Sequence, residues 1–246
     1  MRKLGILIVI LLIMVIASIT SCIHSRSFHN QEDIQSAING VLEMNVSFEY
    51  QTANSTIWAS KKNKGAVISL GDGYVLGLTH CFTTKTILIN SPWGAFNADI
   101  KSRNIEYTID DKKLYIVGEH EDISLFRMIR NDDFMDAYPF EWADSNDLWE
   151  GDRIVLAGFP WMFDRNLRSG IVSDVNPTHP GIDTKNLFAF SINAIRGDSG
   201  TPVLVYRWGV LKIIGLTQMS TGQGVSFAFK SNYVLDAIET IKAAAK

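Results

Sequence analysis

The tightest constraint on the fold is a period. From Asn45 onward the chain breaks into short runs rich in β-branched and aromatic residues, with Gly, Asp or Asn between many of them. A first set reads NVSFEY, GAVISL, YVLGLTH, TILIN, KLYIVG and ISLFRMI. A second set reads RIVLAG, SGIVSDV, LFAFSIN, PVLVYRW, LKIIGLTQM and GVSFAF. Short strands joined by turns leave unpaired edges unless the sheet closes or is covered, so the pattern predicts an all-β barrel or sandwich architecture. It excludes a regular alternation of helix and strand. A polar stretch from Asp144 to Asp152 separates the sets. Helical spacing occurs at the two ends only. Ile34, Ala37, Ile38, Val41 and Leu42 form one apolar face, with Asn30 as N-cap and Asn39-Gly40 as a stop. Val234, Leu235, Ile238 and Ile241 form the other, with Ser231 as cap.

The N-terminus has a different character. Arg2 and Lys3 precede an uncharged apolar run from Leu4 to Ile19. As a helix, this run would span roughly 24 Å at ~1.5 Å per residue, less than a hydrocarbon core of about 30 Å. A basic start, an apolar middle and small residues after it are the pattern of a secretory signal. The run ends ITSC, which resembles the lipobox of bacterial lipoproteins. That resemblance implies cleavage before Cys22 and a lipid on its thiol, and so an exported protein on a bacterial envelope membrane. An uncut signal anchor is the other reading. The polar residues that follow read as a tether.

The net charge of -3 comes from acids and bases mixed along the chain, and no basic stripe marks a nucleic-acid surface. The only cysteines are Cys22 and Cys81, so no disulfide framework is available.

The chemistry is carried by AIRGDSGTP, Ala194–Pro202. A serine hydroxyl is a weak nucleophile and needs a base within hydrogen-bond reach, with a third group to orient that base. His24 and His29 lie in the tether, and His120 and His179 in loops; His80 ends the run YVLGLTH. Asp122 opens an apolar run, where a carboxylate is costly unless paired. Asp111 is the alternative acid, although DDKK reads as a polar turn. His120 and Asp122 could share one strand face, which is too few ligands for a metal site, and none is expected.

Taken together these motifs resemble the trypsin-fold serine proteases, most closely the HtrA (Deg) branch. GAVISLGDGYVLGLTHCF is similar to the stretch that leads to that branch's catalytic histidine. DISLFRM is similar to its aspartate strand. GDRIVLAGFPWMFDRNLRSGIVSDV and GVSFAFKSNYVLDAIETI are similar to the start of its second barrel and to its closing helix. The resemblance covers nearly all of the chain after residue 32. It implies two six-stranded antiparallel β-barrels with a short N-terminal and a C-terminal helix. The expected layout is signal peptide 1–21, tether 22–31, N-terminal helix and first barrel 32–142, and second barrel with closing helix 143–246.

By resemblance His80, Asp122 and Ser199 are catalytic, and the N–H groups of Gly197 and Ser199 form the oxyanion hole. Asn193, Ala194 and Ile195, with Leu216, Thr217 and Gln218, line the pocket for the residue before the cut bond. No acid stands on that wall, so small or medium apolar residues are expected there rather than Arg or Lys. The implied activity is endoproteolysis, with a role in protein quality control and no cofactor. Polypeptides are the expected substrates, the membrane is reached through the N-terminus, nucleic acid is excluded, and a homo-oligomer is left open.

Three departures stand out. Thr201 occupies a position where the family usually has glycine, and is expected to shift the loop or narrow access. Asp198 replaces the branch's usual Asn. In trypsins that Asp pairs with an N-terminus made by cleavage, but the string IVG at Ile116–Gly118 follows His80 and cannot serve, so Asp198 needs another partner. The chain ends after its closing helix, so the PDZ domain common in the branch is expected to be absent. Cys81 reads as a buried free thiol. The rival function is a protease fold that binds peptides without turnover, motivated by Thr201.

Overall fold

The structure is a computed structural model that describes residues 39–52, 59–82, 86–91, 94–129, 140–159, 166–222 and 224–245. The apolar run, Cys22, the tether and the N-terminal helix positions 34, 37 and 38 lie outside them.

The first barrel is built from β1 (Val41–Thr52), β2 (Ala59–Gly71), β3 (Tyr74–Leu78), β4 (Thr86–Ser91), β5 (Gly94–Ile109), β6 (Lys112–His120) and β7 (Ile123–Met128). Strands β1-β2-β3-β7-β6-β5 form the sheet, and β1 pairs with both β2 and β5, closing a six-stranded ring that carries β4 on β5. Side chains alternate across a strand with period two. On β1 this sends Leu42, Met44, Val46, Phe48 and Tyr50 inward, onto Val67, Val75, Tyr107 and Phe126. Val41 and Leu42 therefore belong to a strand and not to the apolar face of a helix. Pairing with β2 from Val41 onward overrides their helical spacing.

The second barrel contains β8 (Glu141–Trp142), β9 (Arg153–Gly158), β10 (Asn166–Asp174), β11 (Leu187–Phe190), β12 (Pro202–Arg207), β13 (Val210–Ser220) and β14 (Ser226–Lys230). Strands β12-β9-β10-β11-β14-β13 close through β12–β13, with β8 added parallel to β13. Its core holds Ile154, Leu156, Val172, Phe188, Phe190, Val203, Val205 and Ile214. The architecture is the expected pair of six-stranded antiparallel barrels. Two strands are not legible in the sequence: β5, whose stretch NADIKSRN has low β propensity, and the two-residue β8, which joins the second sheet just before residue 143.

Both barrels belong to one compact unit, Ser36–Lys246. A helical turn, α1 (Thr79–Phe82), follows β3, and α2 (Ser231–Ala244) closes the fold. Helix α2 leaves the second barrel and packs back on β6 and β7 of the first. Ile241 lies so close to Gly118 that a Cβ there would stand 2.9 Å from its Cγ2. Ser231 does not cap this helix. Its buried hydroxyl donates to Ala143 O at 2.6 Å, and Lys230 occupies the cap position.

Candidate active site

The antiparallel register of β3 on β7 sets Leu78 opposite Ile123. One step beyond the strand ends, Thr79 N–H donates to Asp122 O at 2.8 Å, which fixes α1 against the Glu121–Asp122 turn. Phe82 anchors the other end of α1 in the core, edge-on to Phe126. His80 is thereby held twice by one carboxylate. Its backbone N–H donates to Asp122 Oδ1 at 2.9 Å, and its ring Nδ1 lies 2.7 Å from Oδ2. An ionised carboxylate only accepts, so Nδ1 carries the proton and Nε2 is left as the basic nitrogen. Glu121, at φ 49°, is held in turn by α2: Tyr233 Oη donates to its Oε2 at 2.5 Å. Burial, and then Glu121, keep the Tyr233 proton well above the usual phenol range, so the donor persists.

Burial of the His80 ring disfavours its charged form, but the Asp122 hydrogen bond, and then the Cys81 sulfur, outweigh this and raise it from 6.5 to about 10. The folded value lies above the unfolded one. The pair's contribution to stability is therefore complete below pH 6.5 and is lost as pH rises through about 10. A base must be neutral to act, so turnover should climb with pH along a limb well above 6.5. Replacing Cys81 by Ala should move that limb downward. A kcat/KM profile with its midpoint at 6.5 in both forms would refute this assignment.

The Ser199 loop leaves the second barrel after β11, touches the first barrel and returns to the second at β12. Asp198 N–H donates to Ile195 O at 3.0 Å, closing a turn with Gly197 in its third position at φ 101°. This is the left-handed position of a type II turn, which glycine fills without strain. Gly200, at φ 84°, brings the loop against the first barrel; a Cβ there would stand 2.4 Å from Ala66 O. Cys81 Sγ contacts Ser199 O at 3.7 Å across the same seam. Among the described residues the N–H groups of Gly197 and Ser199 have no hydrogen-bond acceptor. They are two free donors beside one hydroxyl. Ser199 Oγ itself makes a long contact to Gln218 O, 3.4 Å, rather than one to His80.

The residues expected to line the pocket lie on two segments joined by a hydrogen bond. Asn193 Oδ1 accepts from Ser220 Oγ at 3.3 Å, which joins the 193–195 segment to the end of β13. Ala194 N–H donates to the buried Ser226 Oγ at 2.8 Å. Ile195 is 45% exposed, Leu216 is fully buried opposite Pro202, and Thr217 and Gln218 each bury a side-chain oxygen without a partner.

Thr201 overturns an expectation. It is fully buried, and its side chain lies against Gly158 inside the barrel, where a Cβ on Gly158 would meet Thr201 Oγ1 at 2.5 Å. It therefore does not narrow access, and it avoids a positive φ. Asp198 finds a partner that the sequence reading missed. Its buried carboxylate accepts from Ile195 N–H at 2.7 Å through Oδ2 and pairs with the Arg168 guanidinium through Oδ1. The period of β10 carries the signal for this, because Arg168 is four residues from the buried Val172 and so on the same face. Ile116–Gly118 lies within β6 of the first barrel. Among the described residues no cluster of three metal-ligating side chains occurs.

No curated protein matches the chain in sequence. Among solved structures, the HtrA-type protease AlgW with a decapeptide superposes at a TM-score of 0.62 with 16% identity, over 87% of this chain and 67% of that one. AlgW with a tripeptide superposes at 0.57 with 17% identity, over 85% and 62%. The serine endoprotease from Yersinia pestis gives 0.52 with 17% identity, over 85% and 65%. The chain thus spans about two thirds of the length of these proteins and shares their fold. The family model of the trypsin-like peptidase domain matches residues 64–213, from the middle of β2 into β13. That stretch is most of both barrels and includes the histidine, aspartate and serine elements alike, and the chain belongs to the trypsin-like peptidase family.

Proposed function

We propose that the protein is a serine endopeptidase in which Ser199 attacks, His80 transfers the proton and Asp122 orients the imidazole. The observation that carries this is the His80–Asp122 contact of 2.7 Å beside a serine loop with two unpartnered N–H donors. In this reading Oγ leaves Gln218 O and bonds to Nε2 when substrate binds; such bonds are often loose before then. Oγ then bonds to the scissile carbonyl carbon as its proton passes to Nε2. The carbonyl oxygen, now negative, lies against the N–H groups of Gly197 and Ser199. Such a donor is worth about 10²–10³ in rate, because the charge it meets exists only near the transition state. Collapse expels the amine with the proton from His80, and water releases the acyl group by the same steps.

The substrate is a polypeptide, and the exposed apolar side chain of Ile195 favours small or medium apolar residues before the cut, whereas Leu216 is fully buried and offers no surface to it. A fluorophosphonate probe tests the reading. Labelling at Ser199 that disappears in Ser199→Ala supports it; a folded wild type that never labels refutes it. The second reading, a peptide-binding module without turnover, is favoured by one observation, the Ser199 hydroxyl resting on Gln218 O. An unlabelled protein that still binds unfolded polypeptide would establish that reading.

The setting is an exported envelope lipoprotein, supported by the apolar run and ITSC; a role in protein quality control follows only from the resemblance to the HtrA branch. One acyl chain binds only marginally at ~0.8 kcal/mol per CH₂, whereas several chains on one cysteine hold firmly. Cys22→Ser should therefore release the protein from membranes or leave an unprocessed precursor. A variant processed at the same site that stays with the membrane would refute the lipid anchor.

A further inference from the structure

Asp198 is fully buried, and it stands between the turn that presents Gly197 and the serine itself. A buried carboxylate is costly unless both its oxygens are engaged and its charge is opposed. Here both conditions are met. Oδ2 takes the N–H of Ile195, the first residue of the turn, and Oδ1 takes the guanidinium of Arg168. Arg168 reaches in from β10, its side chain 22% exposed, and its Nη1 also donates to Asn193 O at 3.2 Å. One side chain thus holds the loop at two points, at Asn193 before the turn and at Asp198 after it.

We propose that Arg168 is a positioning residue that keeps the oxyanion-hole donors in place, so that the nucleophile loop is ordered without chain cleavage or a bound effector. The inference rests on the peptidase reading. Its physical basis is a balance of charge. With Arg168, the charge of the buried Asp198 is opposed and its Oδ2 accepts from Ile195 N–H, which fixes the start of the Ile195–Asp198 turn. Without it, a buried carboxylate is left unopposed and is driven toward water, and that movement releases the turn and the aim of the Gly197 N–H. The planar guanidinium bonds Asp198 and Asn193 together, and an ammonium in its place would keep the opposing charge but not both bonds.

The test compares wild type with Arg168→Met, Arg168→Lys, Asp198→Asn and the double variant Arg168→Met/Asp198→Asn, each checked for folding by thermal unfolding. Arg168→Met should lower kcat by about 10²–10³, the value of one oxyanion donor, with KM changed less than about threefold. The double variant should recover at least tenfold over Arg168→Met, because a neutral amide needs no cation. Arg168→Lys should stay within tenfold of wild type at neutral pH, because the charge opposite Asp198 is kept. Hydrogen exchange at the Ile195 amide should speed up at least tenfold in Arg168→Met. This last readout does not depend on turnover: a wild type inert to substrate sinks the peptidase reading, while the exchange rate still decides the role of Arg168. Wild-type kcat and unchanged exchange in Arg168→Met would overturn the proposal, as would a kcat loss that the double variant does not relieve.

Discussion

Ser199→Ala is expected to lower kcat toward polypeptide by about 10⁶, near 8 kcal/mol of transition-state stabilisation, and to leave the fold intact. The size follows from the chemistry. Without Oγ no acyl-enzyme forms, and His80 and Asp122 have no proton to move, so all three contributions disappear together. What remains is catalysis by the free N–H donors and by substrate positioning, on the order of 10³–10⁴ over water. The structural cost is small. Among the described residues Ser199 Oγ makes one hydrogen bond, the long one to Gln218 O, and the loop is held by Asp198, Gly200 and Thr201 through other atoms. The measurement is peptide turnover beside thermal unfolding. An alanine variant with undiminished turnover would exclude the serine mechanism, and one that loses both turnover and fold would show that Ser199 is structural.

Asp122→Asn is the second large effect, expected to lower kcat by about 10⁴ at neutral pH, the loss known for this substitution in the serine-protease triad. The carboxylate makes two different bonds to one residue. An asparagine carbonyl could still accept from the His80 backbone N–H, as Oδ1 does now at 2.9 Å. The amide NH₂ would then face Nδ1, the atom that now lies 2.7 Å from Oδ2. A donor there requires the ring's other tautomer, with the proton on Nε2, and that nitrogen can no longer accept from Ser199. Geometry is kept and function is lost. Loss of the carboxylate also removes the main influence that raises His80, so its titration should move down from about 10. An NMR titration of the ring with an unchanged midpoint, or a variant with wild-type kcat, would refute Asp122 as the orienting group.

The sequence is legible wherever local pattern and tertiary role coincide. Strand runs such as GAVISL and RIVLAG are buried nearly throughout, so their composition states their position. His80 and Asp122 meet as expected because each stands inside a motif whose neighbours are constrained by packing. Thr201 could not be read correctly. One residue beyond the nucleophile, its side chain could stand in the mouth or in the barrel, and only the pairing of Thr217 N–H with Thr201 O decides for the barrel. Val41 and Leu42 satisfied a helical period and a strand period at once, and β2 chose the strand.

By itself, then, the sequence determined the two sets of strands, the closing helix and the residue types able to do acyl transfer, since these follow from periods of two and 3.6 residues and from short motifs. It did not determine β5, whose polar stretch becomes a strand through its long pairings with β1 and β4. Nor did it determine the partner of Asp198, thirty positions from Arg168 along the chain and joined to it only when β10 passes behind the nucleophile loop. A buried charge chooses its counter-charge by distance in space, and that distance does not exist until the second barrel has closed.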